Sequence, residues 1–329
     1  MQVRRLIGFC CVAAVLGLAV GAPGESPAAK SAGGRPLAEA AADKAKASAA
    51  SAHAAQAALP DPAYLVREVV YNELHDHDSH GYWRYWIERH AGRGTQVEEA
   101  VETADGPVAR MELSDGHPLA AQASAEEDRR LENLLHSTGE QARRRKEYAE
   151  DERRIGRILA LLPEAFLYEP MADQERSAEM PECVCAHYRF HPNPEYPARS
   201  IESRIFHAMA GEIWISLDHK RLVRLDGKLQ ENVDFGYGIL GRLYKDGWFR
   251  LERTHVGGDR SGGDWKTERL EVHMTGRAML FKTIARETSE MRGGFAPVPA
   301  GLSLQQAVVL VREPAAVPGA QAAAFVTSR

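Results

Sequence analysis

Cysteine is scarce in this chain: four residues in 329, of which Cys10 and Cys11 fall inside an N-terminal apolar run. Neither closes that run behind small residues, the pattern of a lipoprotein signal, so no lipid anchor is expected. Long apolar runs are scarcer still. The one candidate, Leu6 to Val20, is shorter than the ~20 residues a membrane-spanning helix needs, so no transmembrane anchor is expected after cleavage. A surplus of one charge sign is also missing. The formal net charge is -5, with acidic and basic residues interspersed, which leaves no electrostatic footprint for nucleic acid. Catalytic spellings are absent too: there is no Gly-x-Ser-x-Gly elbow, no His-Glu-x-x-His and no kinase-type His-Arg-Asp. No enzyme and no cofactor are expected from these patterns.

What is present begins with a leader. Arg4-Arg5, the apolar run and the small residues Ala19-Val20-Gly21 read as a secretory signal over residues 1–22, which places the protein in the periplasm or outside the cell. Residues 23–60 are rich in alanine, serine and lysine and lack large apolar side chains, so a disordered linker is expected there. Asp61-Pro62 then opens an amphipathic helix with Leu65, Val69, Val70 and Leu74 near one face. Three strands follow, Tyr82 to Arg89, Gln96 to Thr103 and Val108 to Leu113, separated by glycine turns. A long helix is expected from Ser124 to about Leu162, with a charged middle that protrudes and carries pairs such as Lys146 with Glu150.

A short helical piece is expected at 165–168, then strands at 184–190 and 204–209. From Gly211 to Ile284 the chain reads as an antiparallel meander. Its centre is Val233 to Gly241, where Val233, Phe235, Tyr237 and Ile239 alternate with small or polar residues, the period of a strand with one buried face. Thr275-Gly276 is expected to turn the chain into a last strand, Arg277 to Ile284. Beyond it the signals weaken, and residues 291–329 are expected to be a mostly disordered tail with one apolar run, Leu304 to Val311. Residues 61–290 thus form one domain, with a helical insertion at 124–170.

Five groups of residues invite a chemical reading. Gly236-x-Gly238-x-x-Gly241 spells the dinucleotide fingerprint, but a Lys245-Asp-Gly247 hairpin stands where the fingerprint needs a helix to open. Asp234-Phe235-Gly236 lacks the rest of a kinase set. His75, His77 and His80 are candidates for zinc or copper, beside the plainer reading of a polar turn. Cys183 and Cys185 are candidates for a disulfide, which on one strand needs a local kink, beside the reading of two inert thiols. The aromatics Trp83, Tyr85, Trp214, Phe235, Tyr237, Trp248 and Phe249 are core by default, and would line an apolar cavity if one face of a curved sheet stays uncovered.

From Asp61 to Thr288 the order of signals resembles the periplasmic LolA/RseB-like superfamily, and most nearly its exported bacterial members without an assigned activity. The residues that carry the likeness are Val101-Glu-Thr103, Asp105-Gly106, Gly116-His-Pro-Leu119 and Phe190-x-Pro192-Asn-Pro194. Gly211-Glu-Ile-Trp214-Ile215, Arg221 to Gly227, Val233-x-Phe235-Gly236, Gly276-Arg277 and Phe281-Lys282 extend it. The resemblance implies an α+β fold, a curved antiparallel sheet forming an unclosed β-barrel that wraps over helices. It also implies a non-catalytic binder of an acyl chain, a lipid or a lipoprotein in the hydrophobic concavity. The alternative is an envelope interaction or stress-sensing module without a small ligand. A metal-dependent enzyme using the His75–His80 cluster is the third reading.

Overall fold

A computed structural model of the chain describes residues 61–75, 81–92, 94–171, 184–235, 241–258, 263–278 and 282–313, the side chains of 278 and 282–284 excepted. The expected signal peptide and linker, and every residue beyond 313, lie outside the described residues. The first helix, α1 (Pro62–Leu74), starts where the sequence says it should. Asp61 caps it, its carboxylate accepting from the Ala63 N–H at 3.1 Å, and Pro62 occupies the first turn. Leu65, Val66, Val69 and Val70 are buried on one face.

The strands β1 (Tyr82–Ala91), β2 (Gly94–Val101) and β3 (Val108–Ser114) form the expected meander, followed by the two-residue β4 (His117–Pro118). Two helices come next, α2 (Ala121–His136) and α3 (Thr138–Ala165), then β5 (Phe166–Pro170) and β6 (Cys185–Pro192). A short helix, α4 (Ile201–His207), leads to β7 (Met209–Ser216) and β8 (Arg221–Leu229). The small strands β9 (Val233–Phe235) and β10 (Gly241–Leu243) precede β11 (Trp248–Val256), β12 (Asp264–Ala278) and β13 (Lys282–Val298), and α5 (Leu304–Arg312) closes the order.

All thirteen strands belong to one antiparallel sheet, in the order β4-β3-β2-β1-β13-β12-β11-β8-β7-β6-β5, with β10 and β9 branching from β12. Hydrogen bonding does not close it. β4 and β5 are its two ends, and α3 links the β2–β3 turn to β5. Near its start, Arg144 donates to Gly106 O and Thr103 Oγ1 in the β2–β3 turn; at its end it passes directly into β5. At 1.5 Å per residue, 28 helical residues reach about 42 Å.

Register gives each side chain its face. Tyr188, Ile213, Leu225, Leu251 and Leu270 are successive cross-strand neighbours on the face that carries α1. With Phe166, Phe190, Phe206 and the α1 aliphatics they form the main core. The same face continues across β13 to Arg292 and Glu290 and across β1 to Ile87 and Arg89. A second core lies on the opposite face, where Val101 and Val108 meet Leu131 of α2 and Ala307, Val308 and Val311 of α5.

Seven expectations need correction. The long helix is two helices, because Ser137 is extended (φ −101°, ψ 100°) and spends its hydroxyl capping α3, accepting from the Glu140 N–H at 3.2 Å. The charged middle of α3 does not stand clear, since Arg144 and Tyr148 pack on the β2–β3 turn at Gly106. Residues 166–170 are the strand β5 and not a helical piece; Phe166 sits buried between Phe190 and Phe206, at ring distances of 4.8 and 5.0 Å. Residues 204–207 belong to α4 and not to a strand. A reciprocal pair of bonds, Ser203 N–H to Ser200 Oγ and Ser200 N–H to Ser203 Oγ, nucleates it.

The expected central strand Val233 to Gly241 is two short strands paired to each other, with 236–240 outside the described residues. Finally, Gly276 is not a turn. It lies inside β12, where a Cβ would collide with the Arg242 carbonyl of β10, and β13 then continues to Val298. The domain therefore runs past 290, and the apolar run 304–311 is α5, capped by Ser303 and Gln306. Residues 291–313 are thus strand and helix where a tail was expected.

Candidate functional site

The aromatic candidates do not share one lining. Phe249 is 2% exposed within the main core, and Phe235 packs half-buried against it. Trp83 and Tyr85 belong to a separate cluster with Ile87, Ala100 and Val256, against which Phe295 packs. Trp214 points to the opposite face, because it pairs with Arg224 while Ile213 pairs with Leu225 in the core. There its indole stacks on His187 at 4.2 Å, with the Arg224 guanidinium 4.8 Å from the ring centre. Trp248 precedes Phe249 on one strand and therefore faces the other way; it is 39% exposed and lies 6.2 Å from His273. Tyr237 lies outside the described residues.

Trp83 is fixed by a contact that the sequence does not announce. Asp264 Oδ2 accepts from the indole N–H at 2.5 Å and from the Gly81 N–H at 2.7 Å. β12 pairs with β13 only as far as Arg269, so the tip of the β11–β12 hairpin is free to lie over β1. Lys266 there meets Glu102 at 3.0 Å. Asp264→Ala leaves the indole N–H without that acceptor. It is expected to cost about 1–3 kcal/mol and to shift tryptophan emission, whereas an unchanged spectrum and melting point would detach the hairpin tip from Trp83.

On the face that continues from the main core, β1 and β13 carry the charges Arg89, Glu290 and Arg292 beside the apolar Trp83, Tyr85 and Ile87. Glu290 is 3% exposed and accepts from Arg89 Nε at 2.8 Å and from Arg292 Nε at 2.7 Å. Arg89 also bonds Glu98 at 2.6 Å. Burial alone would raise the Glu290 carboxyl, but the Arg292 and Arg89 guanidiniums outweigh it and hold the group below its usual range. Burial pushes the neighbouring Tyr85 hydroxyl well above its ordinary value, and does the same for Tyr148 of α3. A second buried pair joins α1 to the sheet: Glu73 meets Arg253, with Arg221 at 3.6 Å, and accepts from the Leu222 N–H at 3.4 Å. Sequence reasoning missed both sets. Their only signal is a charge placed at an inward position of a strand or helix, and assigning inward positions requires the register.

On the opposite face of β8, β11 and β12, arginines and carboxylates alternate across the strands. Arg224 lies 2.8 Å from Asp226, Asp226 lies 3.0 Å from Arg250, and Glu252 lies 3.2 Å from Arg269. Further along that face, β2 carries Glu99, 3% exposed and bonded to Arg84, which also donates to the Glu313 carbonyl at the end of α5 at 2.9 Å. Burial raises the Glu99 carboxyl, Arg84 pulls it down, and Glu112 adds to the rise. A carboxyl raised in the folded state binds its proton more tightly there than in the unfolded chain. Its contribution to stability therefore grows as pH falls through its titration and is lost as pH rises above it. Glu99→Gln is expected to flatten the stability profile from neutral pH down toward the ordinary glutamate range, with a melting point at pH 8 no lower than that of the parent. A parallel pair of profiles would contradict this.

Among the described residues, no three His, Cys, Asp or Glu side chains converge as a metal set. His75 ends α1 with its ring on Tyr71 at 4.0 Å, and His77 and His80 lie outside the described residues. Cys185 is disulfide-bonded; Cys183, its candidate partner, lies outside the described residues. Gly241 opens β10 and not a helix, which removes the geometry a dinucleotide fingerprint requires. No described helix is long and apolar enough to cross a membrane. In comparisons with known proteins the chain matches no family model, no curated protein and no solved structure.

Proposed function

We propose that this chain is a non-catalytic binding module of the bacterial envelope that works through its surface: an interaction or stress-sensing module without a small ligand. The fold it implies is a half-barrel of the LolA/RseB-like kind, with α3 strapped between the β2–β3 turn and β5. The observation that carries the reading is the occupancy of the helix-covered face. Leu65, Val66, Val69 and Val70 of α1 pack into the main core, and the Glu290 ion pairs stand between that core and the Trp83–Tyr85 cluster. An acyl chain needs a continuous apolar lining, whereas here the candidate aromatics divide between two faces and buried charge stands between their clusters. Residence outside the cytoplasm is supported by the leader pattern and by the disulfide at Cys185, since such bonds persist in oxidising compartments.

The recognition surface we assign is the outward side of α3, where Arg143, Arg145, Lys146, Glu147, Glu150 and Arg153 are exposed. Native mass spectrometry of the protein purified from a bacterial periplasm, followed by organic extraction, tests the reading. The expected result is a bare polypeptide mass, together with photo-crosslinks from Lys146 to an envelope protein that are lost when Arg145, Lys146 and Arg153 become glutamate. Extracted acyl species at one per chain would overturn it and restore the lipid or lipoprotein carrier.

A further inference from the structure

We propose that α5 is a removable latch, and that the groove it fills, between α2 and the sheet at β2 and β3, docks an amphipathic helix of a partner protein in its place. The groove is apolar and lined from three elements: Val101 at the end of β2, Val108 at the start of β3 and Leu131 of α2, all fully buried. α5 fills it with Ala307, Val308 and Val311, positions i, i+1 and i+4 of one helical face, while Val309 on the other face is exposed.

The latch is held less firmly than the sheet beneath it. Its nine residues are fewer than the ~12–15 that an isolated helix needs, so docking maintains its helicity. The three side chains that anchor it are small and remove little apolar surface from water, and Leu304 and Leu310 are only partly buried at the rim. Residues 299–303 link it to β13. The polar contacts of its last turn stand in solvent: Arg312 meets Glu132 at 2.8 Å, with side chains 32% and 48% exposed, so salt screens the pair. An element held in this way opens at a smaller free energy than the whole fold.

The contacts at that end define what else would fit. Arg84 of β1, which Glu99 holds in place, donates to the Glu313 carbonyl at 2.9 Å. A guanidinium there meets the C-terminal end of whichever helix lies in the groove, where backbone carbonyls lack partners within the helix. Asp128 and Glu132 of α2 form an acidic rim beside the last turn, with Arg312 Nε 3.7 Å from Asp128. The partner is therefore a helix with small or β-branched side chains at i, i+1 and i+4 and an arginine or lysine at i+5, the pattern of Ala307, Val308, Val311 and Arg312. α3 contributes no residue to the second core, so this site goes beyond the surface reading of α3 and can fail without it.

The test begins with amide hydrogen exchange in the full chain. The α5 amides are expected to exchange roughly a hundredfold faster than those of Ala100 and Val101 in β2. Exchange of α5 only in step with β2 would overturn the proposal, because the latch would then open only by unfolding. Next, Val308→Asp undocks the latch in the full chain, and a fluorescent peptide of the sequence Ser303–Glu313 is added; Val308→Ala takes its place if aspartate prevents folding. Saturable one-to-one binding is expected, roughly tenfold tighter than to the parent, and roughly tenfold weaker when the peptide carries Arg312→Glu. No saturable binding to the folded variant would overturn the proposal. So would a peptide carrying Val308→Asp that binds as well as the native one, because the groove would then not read the apolar face.

Discussion

Glu290→Gln is expected to lower unfolding free energy by about 3–5 kcal/mol, the cost of breaking a buried ion pair from one side. Both carboxylate oxygens are in use: Oε2 accepts from Arg89 Nε and Oε1 from Arg292 Nε. Glutamine keeps the shape but places an amide donor against one arginine donor, and leaves Arg89 and Arg292 without their shared counter-charge. For a domain of this size the loss corresponds to a melting point lower by about 10 °C. The pH dependence has a definite sign. A carboxyl depressed in the folded state contributes stability that is present above its unfolded pKa and is lost as pH falls through the folded value. The parent should therefore lose stability in acid, below the ordinary glutamate range, on a slope that the variant lacks. Chemical denaturation at pH 7 and pH 3.5 measures both effects. A cost under ~1 kcal/mol at pH 7 would mean that the arginines find other partners and that the cluster is not a closed network.

Phe206→Ala should cost about 3–5 kcal/mol, the range for removing a fully buried aromatic ring. Phe206 is 1% exposed and stands 5.0 Å from Phe166, which in turn stands 4.8 Å from Phe190, so three elements lose a common contact. The same experiment checks α4. In a helix, Ile205 and Phe206 are both buried while Arg204 is exposed, as observed; in a strand, 204 and 206 would share a face. Arg204→Ala should accordingly stay within about 0.5 kcal/mol of the parent. If it cost as much as Phe206→Ala, the segment would have to be extended.

Elements whose signal is local could be read before any tertiary contact was known. α1 could be read from Asp61-Pro62 and its aliphatic spacing, because cap and periodicity lie within one turn of each other. The β1–β3 meander and the β7–β8 hairpin were legible for the same reason: turn residues and alternating side chains identify them without reference to the rest of the chain. Segments whose state is decided by a distant neighbour were not legible. Phe166 to Pro170 has no strand signal of its own and becomes β5 by pairing with β6. Gly276 looks like a turn until β10 is found lying against it.

The candidate sites divide along the same line. The cysteine pair, the histidine cluster and the roll of aromatics could be listed from the sequence, but their faces could not. Trp248 and Phe249 are neighbours in sequence and lie on opposite sides of the sheet. Glu290 gave no signal at all, since a charged residue in a strand looks solvent-facing until the register turns it inward beside Arg89 and Arg292. The groove under α5 gave no signal either, since Val101, Val108 and Leu131 are ordinary strand and helix residues until β2, β3 and α2 come together. Local chemistry fixes where the chain bends and which residues can pair. Which residues meet across the sheet follows from hydrogen-bond register, a long-range property in which a shift of one position reverses every face.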